Sequence, residues 1–329
     1  MKPNEVQAKL GEAPANGNGK RQSQVITFLA KYSVYLIFVL LVILSSLVSD
    51  VFFTERNLFN LLRQVSGLGI VSMGMLMVIL TGGIDLSVGS MMAFGSVLSA
   101  KFLLDYPLPV AVLLTILIGA AMGAFSGVLV AARDMAPFVA TLATMTIARG
   151  LAYIVSKGRP IPAVNQALDS FGNGYWMHIP KPVLLMLAVV VVTWILLRYT
   201  TFGRMIAAIG SNENAVRLAG IRVAGYKFAT YVITGALASV AGIISTSRTG
   251  VGSPMVGSGL ELDAIAAVVI GGAPLIGGRG NALHTLIGVL ILGLIGNIMN
   301  LKDIPAYPQQ VIMGLIIVAA VLMQGRQKS

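Results

Sequence analysis

The 329-residue chain contains no cysteine. Disulfides and thiolate metal sites are therefore excluded. Histidine occurs only at His178 and His284, too few and too scattered for a metal cluster. Charge is scarce as well: 11% of residues are Asp, Glu, Lys or Arg, against about 25% in a soluble domain. The chain is instead 56% hydrophobic, with a mean hydropathy of +0.86. That combination excludes a globular enzyme on a single anchor and indicates an all-α polytopic membrane protein. The 37 glycines fit this class, because helices in lipid associate by close backbone approach. No histidine lies in a span-embedded cluster with Ser and Asp, so no nucleophile with its base and orienting group is visible. The chain reads as a non-enzyme without a cofactor of its own.

A crossing of about 30 Å of hydrocarbon takes roughly 20 apolar residues. Runs of that kind lie near 32–49, 58–80, 88–104, 108–131, 137–156, 182–198, 228–246, 283–300 and 307–323. A shorter run at 263–276 is broken by Gly and Pro and reads as a half-span or re-entrant piece. Counting it gives about ten transmembrane helices. Residues 1–31 are polar and rich in Gly and Asn, with no small-residue cleavage site before the first apolar run, and read as a disordered cytoplasmic tail rather than a removed signal. Within this tail, Gly17 to Arg21 faintly resembles a phosphate loop. Pro14 stands where the first Gly is needed and Arg21 where Ser or Thr is needed, so it is rejected.

Net charge is +11, but the basic residues sit between spans, where orientation rather than nucleic acid explains them. Ten crossings put both ends in the cytoplasm, with a short C-terminal tail at 324–329. Fourteen Lys and Arg then fall on the inner side and eight on the outer. Arg149 lies inside a span. The stretch 157–182, with four prolines and Trp176, becomes the main outer loop.

The longest basic loop runs from Arg198 to Lys227 and carries one acid, Glu213. Inside it, Gly210 to Ile221 reads as a short capped helix. Ser211 or Asn212 can cap its start, Glu213 suits the positive end of the helix dipole, and Gly220 is placed to end it. Ala215, Leu218 and Ala219 share one face, flanked by Glu213 and Arg217. A stiff helix on the cytoplasmic face of a membrane protein offers a docking element to a soluble partner.

Two span-breaking segments carry the candidate pathway residues. One is Thr81 to Ser90, containing Asp85 and Ser87. The other is Gly257 to Ile265, containing Glu261 and Asp263, followed by Gly271 to Gly280. Their similar placement in the two halves points to a possible inverted repeat around a pathway. Asp85 reads first as a helix cap accepting from the Ser87 or Val88 amide, and second as a pathway acid; the two roles are compatible. Glu261 and Asp263, two apart, do not share a helical face, and one of them capping the next helix is the simpler reading. Arg149 follows Thr141 and Thr144 and either faces the bundle interior or snorkels to an interface. Asn297, with Asn300, suggests interhelical hydrogen bonds near the outer end of the last hairpin.

Several long motifs carry a resemblance. They are Leu80 to Ser90, Pro137 to Met145 with Ala148-Arg149-Gly150, Gly203 to Ile221, Glu261 to Gly272, and Tyr307 to Gln310. Together they resemble bacterial sugar ABC-importer permeases of the ribose, xylose and galactose type, most of all the ribose branch, over about residues 30–323. The resemblance implies a permease domain at 32–323 in the bacterial inner membrane, paired with a second permease copy. It further implies a cytoplasmic ATPase with two fused nucleotide-binding halves that carries ATP and Mg, and a periplasmic sugar-binding protein. By the same resemblance Gly210, Asn212, Glu213, Ala215, Arg217, Leu218, Ala219 and Gly220 form the coupling helix to the ATPase. The alternative from a different class is an ion-coupled secondary sugar transporter using Asp85, Glu261 or Asp263.

Overall fold

The structure, a computed structural model, describes residues 34–325. The tail expected at 1–31 and the last four residues of the chain lie outside the described residues. The described chain is helical, with α1 at Val34–Val48, α2 at Glu55–Leu80, α3 at Val88–Phe102, α4 at Leu108–Ala131 and α5 at Pro137–Ser156. Next, α6 at Gln166–Asn173 precedes α7 at Lys181–Tyr199. Then follow α8 at Thr201–Ser211, α9 at Glu213–Leu218, α10 at Val223–Thr249, α11 at Leu260–Ile270, α12 at Ala282–Leu301 and α13 at Ala306–Gly325. Two antiparallel two-residue pairings join Ile161–Pro162 to Val251–Gly252 and Tyr175–Trp176 to Ile179–Pro180.

The starts of these helices follow from local chemistry. Proline occupies the first turn of α4, α5 and α7, where its missing amide has no intrahelical partner to lose. Thr54 caps α2 by accepting from the Asn57 amide, and Asn281 caps α12 by accepting from Leu283. Among the described residues six helices, namely α2, α4, α5, α7, α10 and α12, are long and apolar enough to cross a membrane. Two shorter apolar helices are α1 and α3. At 15 residues α3 covers only about 22 Å, less than the roughly 30 Å of a hydrocarbon layer.

Helix α10 is the centre of the bundle, with α2, α3 and α4 packed around it. Its contact with α4 is a seam of small residues: Gly119, Gly123 and Gly127 recur every fourth position and meet Ser239, Tyr231 and Phe228. A Cβ at Gly123 would overlap the Tyr231 carbonyl, so the two backbones touch with nothing between them. That is how helices gain dispersion energy where lipid tails remove the hydrophobic drive. Hydroxyls add to it, with Ser96 and Thr246 2.8 Å apart between α3 and α10.

Several expectations are corrected. The broken run placed at 263–276 is a helix from Leu260 to Ile270 followed by a break to Asn281. Arg198 belongs to α7, and the basic loop holds two helices rather than one. The stretch 157–182, expected as an outer loop, contains α6, which packs against α10 through Gly172 and Ser247. The ends of α2 and α11, like those of α9 and α12, are closed by the same pair of backbone bonds. After α2, Gly82 (φ 78°) donates to Ile79 at 2.8 Å and Gly83 donates to Val78 at 3.2 Å. After α11, Gly272 (φ 87°) donates to Val269 at 2.8 Å and Ala273 donates to Val268 at 3.2 Å. Both are Schellman caps with the same bonds at the same offsets, and both need a residue free to take positive φ.

Candidate functional site

Asp85 sits at the turn from the first break into α3 and is fully buried. Its Oδ1 accepts the Ser87 amide at 2.9 Å and the Ser87 hydroxyl. The carboxylate therefore closes an Asx turn ahead of α3, while Ser87 itself is the N-cap residue and makes no side-chain cap bond. Asp85 Oδ2 and the nearby Tyr231 hydroxyl are buried without a hydrogen-bond partner. Tyr231 lies directly over Gly83, where a Cβ would stand 2.7 Å from its oxygen.

Arg149 faces the interior and does not snorkel. It donates from Nε to Ser90 Oγ at 3.2 Å, and from Nη1 to the carbonyls of Pro254 at 2.6 Å and Val256 at 2.9 Å. One guanidinium thus ties the start of α3 to the irregular loop that enters α11. Such a loop is tolerated at membrane depth only when its carbonyls find donors. Around Arg149 a cavity of about 480 Å³ is lined by Ser90, Thr146, Tyr153, Ser258 and Glu261. A second cavity of about 590 Å³ is lined by Gln64, Ser258, Asp263, Gln309 and Gln310 among apolar residues. Ser258 borders both. Glu261 and Asp263 face different cavities, as their spacing on one helix requires. Neither carboxylate caps α11, which corrects that expectation: the N-cap is Gly259, at φ 81° and with no side chain to offer.

The remaining candidates serve packing in this arrangement. Thr141 and Thr144 are buried on the inner face of α5. Thr141 bonds the Pro137 carbonyl at 2.8 Å, and Thr144 accepts from Ser126 of α4 at 2.8 Å. Asn297 makes a reciprocal amide clasp with Asn57, at 3.1 and 2.8 Å, joining α12 to α2. The cavity-lining residues that sequence reasoning passed over are Ser90, Thr146, Tyr153 and Ser258. Thr146, Arg149 and Tyr153 lie three and four apart, so a helical stripe drawn through Arg149 finds the α5 wall.

The segment between α7 and α10 is α8 followed by α9. Asn212 caps α9 by accepting from the Ala215 amide at 3.0 Å. Gly220, at φ 77°, follows its end. Gly210, expected to open this helix, lies inside the last turn of α8 instead. Val216 turns inward, while Ala215, Leu218 and Ala219 are exposed, Leu218 by 89%. Glu213 is held from two sides, by Lys227 at 2.5 Å and by Arg217 at 2.7 Å. Lys227 belongs to α10, so this pair ties α9 to the central helix. Burial alone would raise the Glu213 pKa, but hydrogen bonds and charge from Lys227 and Arg217 outweigh it and lower it. Arg217 also reaches Asp134 at 3.6 Å, but both side chains are more than half exposed and such a pair contributes little.

No His, Asp and Glu grouping that could hold a metal exists among the described residues. Comparison with known proteins matches residues 57–321 to a family model described as the permease component of a branched-chain amino acid transport system. The chain is 44% identical over 293 residues to the ribose import permease protein of Bacillus subtilis (strain 168), covering 88% of this chain and 91% of that one. It is 40% identical over 316 residues to the ribose import permease protein of Escherichia coli (strain K12), covering 94% and 98%. To the L-arabinose transport system permease protein of the same strain it is 38% identical over 293 residues, covering 89% of each. No solved structure matches. The chain belongs to this permease family, and membership sets aside the ion-coupled reading.

The clamp on Glu213 has a pH consequence. A carboxylate whose folded pKa is lowered contributes stability that is present above its unfolded value, near about 4.3, and is lost as pH falls through the folded value. The α9–α10 tie therefore holds at neutral pH and down through the usual carboxylate range, and is released only at more acid pH. Infrared titration of the protein against Glu213→Gln is expected to place the carboxylate midpoint below that range. A midpoint at or above it would contradict the clamp.

Proposed function

We propose that this chain is the transmembrane permease subunit of an ATP-driven importer of a monosaccharide, a ribose-like pentose or a related sugar, in the bacterial inner membrane. The relatives are named as ribose and arabinose permeases, and the chain covers nearly all of their length. In this reading the ten apolar helices, including the short α3 and α11, make ten crossings with both termini cytoplasmic. The Gly-rich breaks at Thr81–Ser90 and Gly271–Gly280, at similar places in the two halves, support an inverted repeat whose two breaks flank the pathway. A second copy of the chain completes that pathway. A periplasmic sugar-binding protein delivers the substrate, and a cytoplasmic ATPase with two fused nucleotide-binding halves supplies the energy through ATP and Mg bound on its own chain.

The observation that carries the reading is α9. A single turn and a half of helix has no stability of its own in water, yet here it is capped at both ends and clamped to α10 while its apolar ridge is left exposed. Full burial of one leucine contributes about 1.5–3 kcal/mol. Switching a two-state protein from 1:99 to 99:1 takes about 5.5 kcal/mol of differential binding. Leu218 can therefore hold a partner in place, but closure of the ATPase halves, not docking alone, must switch the access state. The cavity at Arg149 suits a neutral polyol. Its lining of hydroxyls, a guanidinium, a carboxylate and the Tyr153 ring can hydrogen-bond and stack on a sugar without a net charge that would favour an ion.

The deciding experiment replaces Glu213–Leu218 with a flexible linker of equal length. Co-purification of the ATPase is expected to be lost together with sugar uptake in cells, while the permease still accumulates in the membrane. Uptake at the wild-type rate would overturn the docking role of α9.

A further inference from the structure

The two breaks meet each other, and α8 closes over their meeting point. The Gly278 amide, in the break after α11, donates to the Leu80 carbonyl at the end of α2 at 3.0 Å. Gly277 stands beside the other break, where a Cβ would lie 2.6 Å from the Gly82 nitrogen and 2.8 Å from the Ile79 oxygen. Gly210, in the last turn of α8, covers the same hydrogen bond. A Cβ there would overlap the Leu80 oxygen and stand 2.5 Å from the Gly278 nitrogen. On the next residue, Ser211 Oγ would lie 2.5 Å from a Cβ at Gly278. Three backbone segments from distant parts of the sequence thus touch with no side chain between them.

Each segment leads somewhere that matters. Asn212 separates α8 from α9, so Gly210 is three residues from Glu213. Beyond Leu80 the chain turns through Asp85 into α3, whose Ser90 lines the Arg149 cavity. Ahead of Gly278 runs α11, whose Glu261 lines the same cavity. We infer that the Gly210–Leu80–Gly278 junction transmits motion from α9 to both breaks at once, and that Gly210 and Gly278 are positioning residues for coupled transport. The inference rests on the reading of α9 as the ATPase dock. Side chains at this point would act as compliant spacers, whereas backbone packed on backbone is stiff. A displacement of α8 therefore carries Leu80 and Gly278 together and moves two walls of one cavity as a unit.

The test uses the full complex of permease, ATPase and binding protein in lipid nanodiscs and proteoliposomes. Gly210→Ala is expected to assemble with the ATPase, while the sugar moved per ATP hydrolysed falls by about tenfold or more, within the usual range of coupling between sites. Wild-type sugar per ATP in assembled Gly210→Ala complex overturns the inference. Should the variant fail to assemble, hydrogen exchange on the wild-type complex decides. The 276–280 segment is expected to stay equally protected with and without a non-hydrolysable ATP analogue, because the junction moves as one body. Loss of its protection in one nucleotide state overturns the inference. If the wild-type permease does not retain the ATPase at all, it is the docking reading of α9 that fails, a result the junction experiments cannot mimic.

Discussion

A helix cannot simply stop inside hydrocarbon, because its last carbonyls have no water to turn to, and each one left bare costs several kcal/mol. Much of this structure answers that constraint. After α2 and after α11 the chain closes each helix end on itself with the same pair of reversed hydrogen bonds, then gives Leu80 a further donor in Gly278. The loop before α11 has no such cap, and Arg149 serves it instead by reaching across to the Pro254 and Val256 carbonyls. With those groups satisfied, irregular backbone can lie at membrane depth, and polar walls can border a cavity there.

The same economy of side chains shapes the rest of the fold. Glycines let α4 lie on α10 and α8 lie on the two breaks, so these elements meet through backbone rather than through adaptable side chains. The exposed end of that chain of contacts is α9, held by Asn212 at one end, followed by Gly220 at the other, and clamped by Glu213 between Arg217 and Lys227. Sequence, caps and clamp thus produce one small rigid projection on an otherwise apolar molecule.

Much of this was legible in the sequence, for identifiable reasons. The apolar helices follow from length and apolarity, and their positions in the structure differ from the reading by a few residues at most ends. Asn212 and Gly220 declared α9, and Asp85 declared its turn, because capping and Asx turns depend on neighbours within a few positions. Helix α8 was not legible: it is short and amphipathic, and with Arg204 in it the segment read as loop. Nor were the Pro254 and Val256 partners of Arg149, which lie about a hundred residues on and are carbonyls, a group every residue carries. The clasp of Asn57 with Asn297 and the contact of Gly210 with Leu80 and Gly278 are likewise products of tertiary packing.

The central claim is that this permease is driven through α9 by ATP hydrolysed on a partner. The most direct measurement is uptake of radiolabelled ribose into sealed proteoliposomes containing the permease, the ATPase and the binding protein, with ATP supplied on the ATPase side and all ion gradients collapsed by ionophores. The account predicts uptake that requires ATP and is indifferent to the ionophores. Uptake by the permease alone, driven by a proton or sodium gradient and abolished by ionophores, would contradict it.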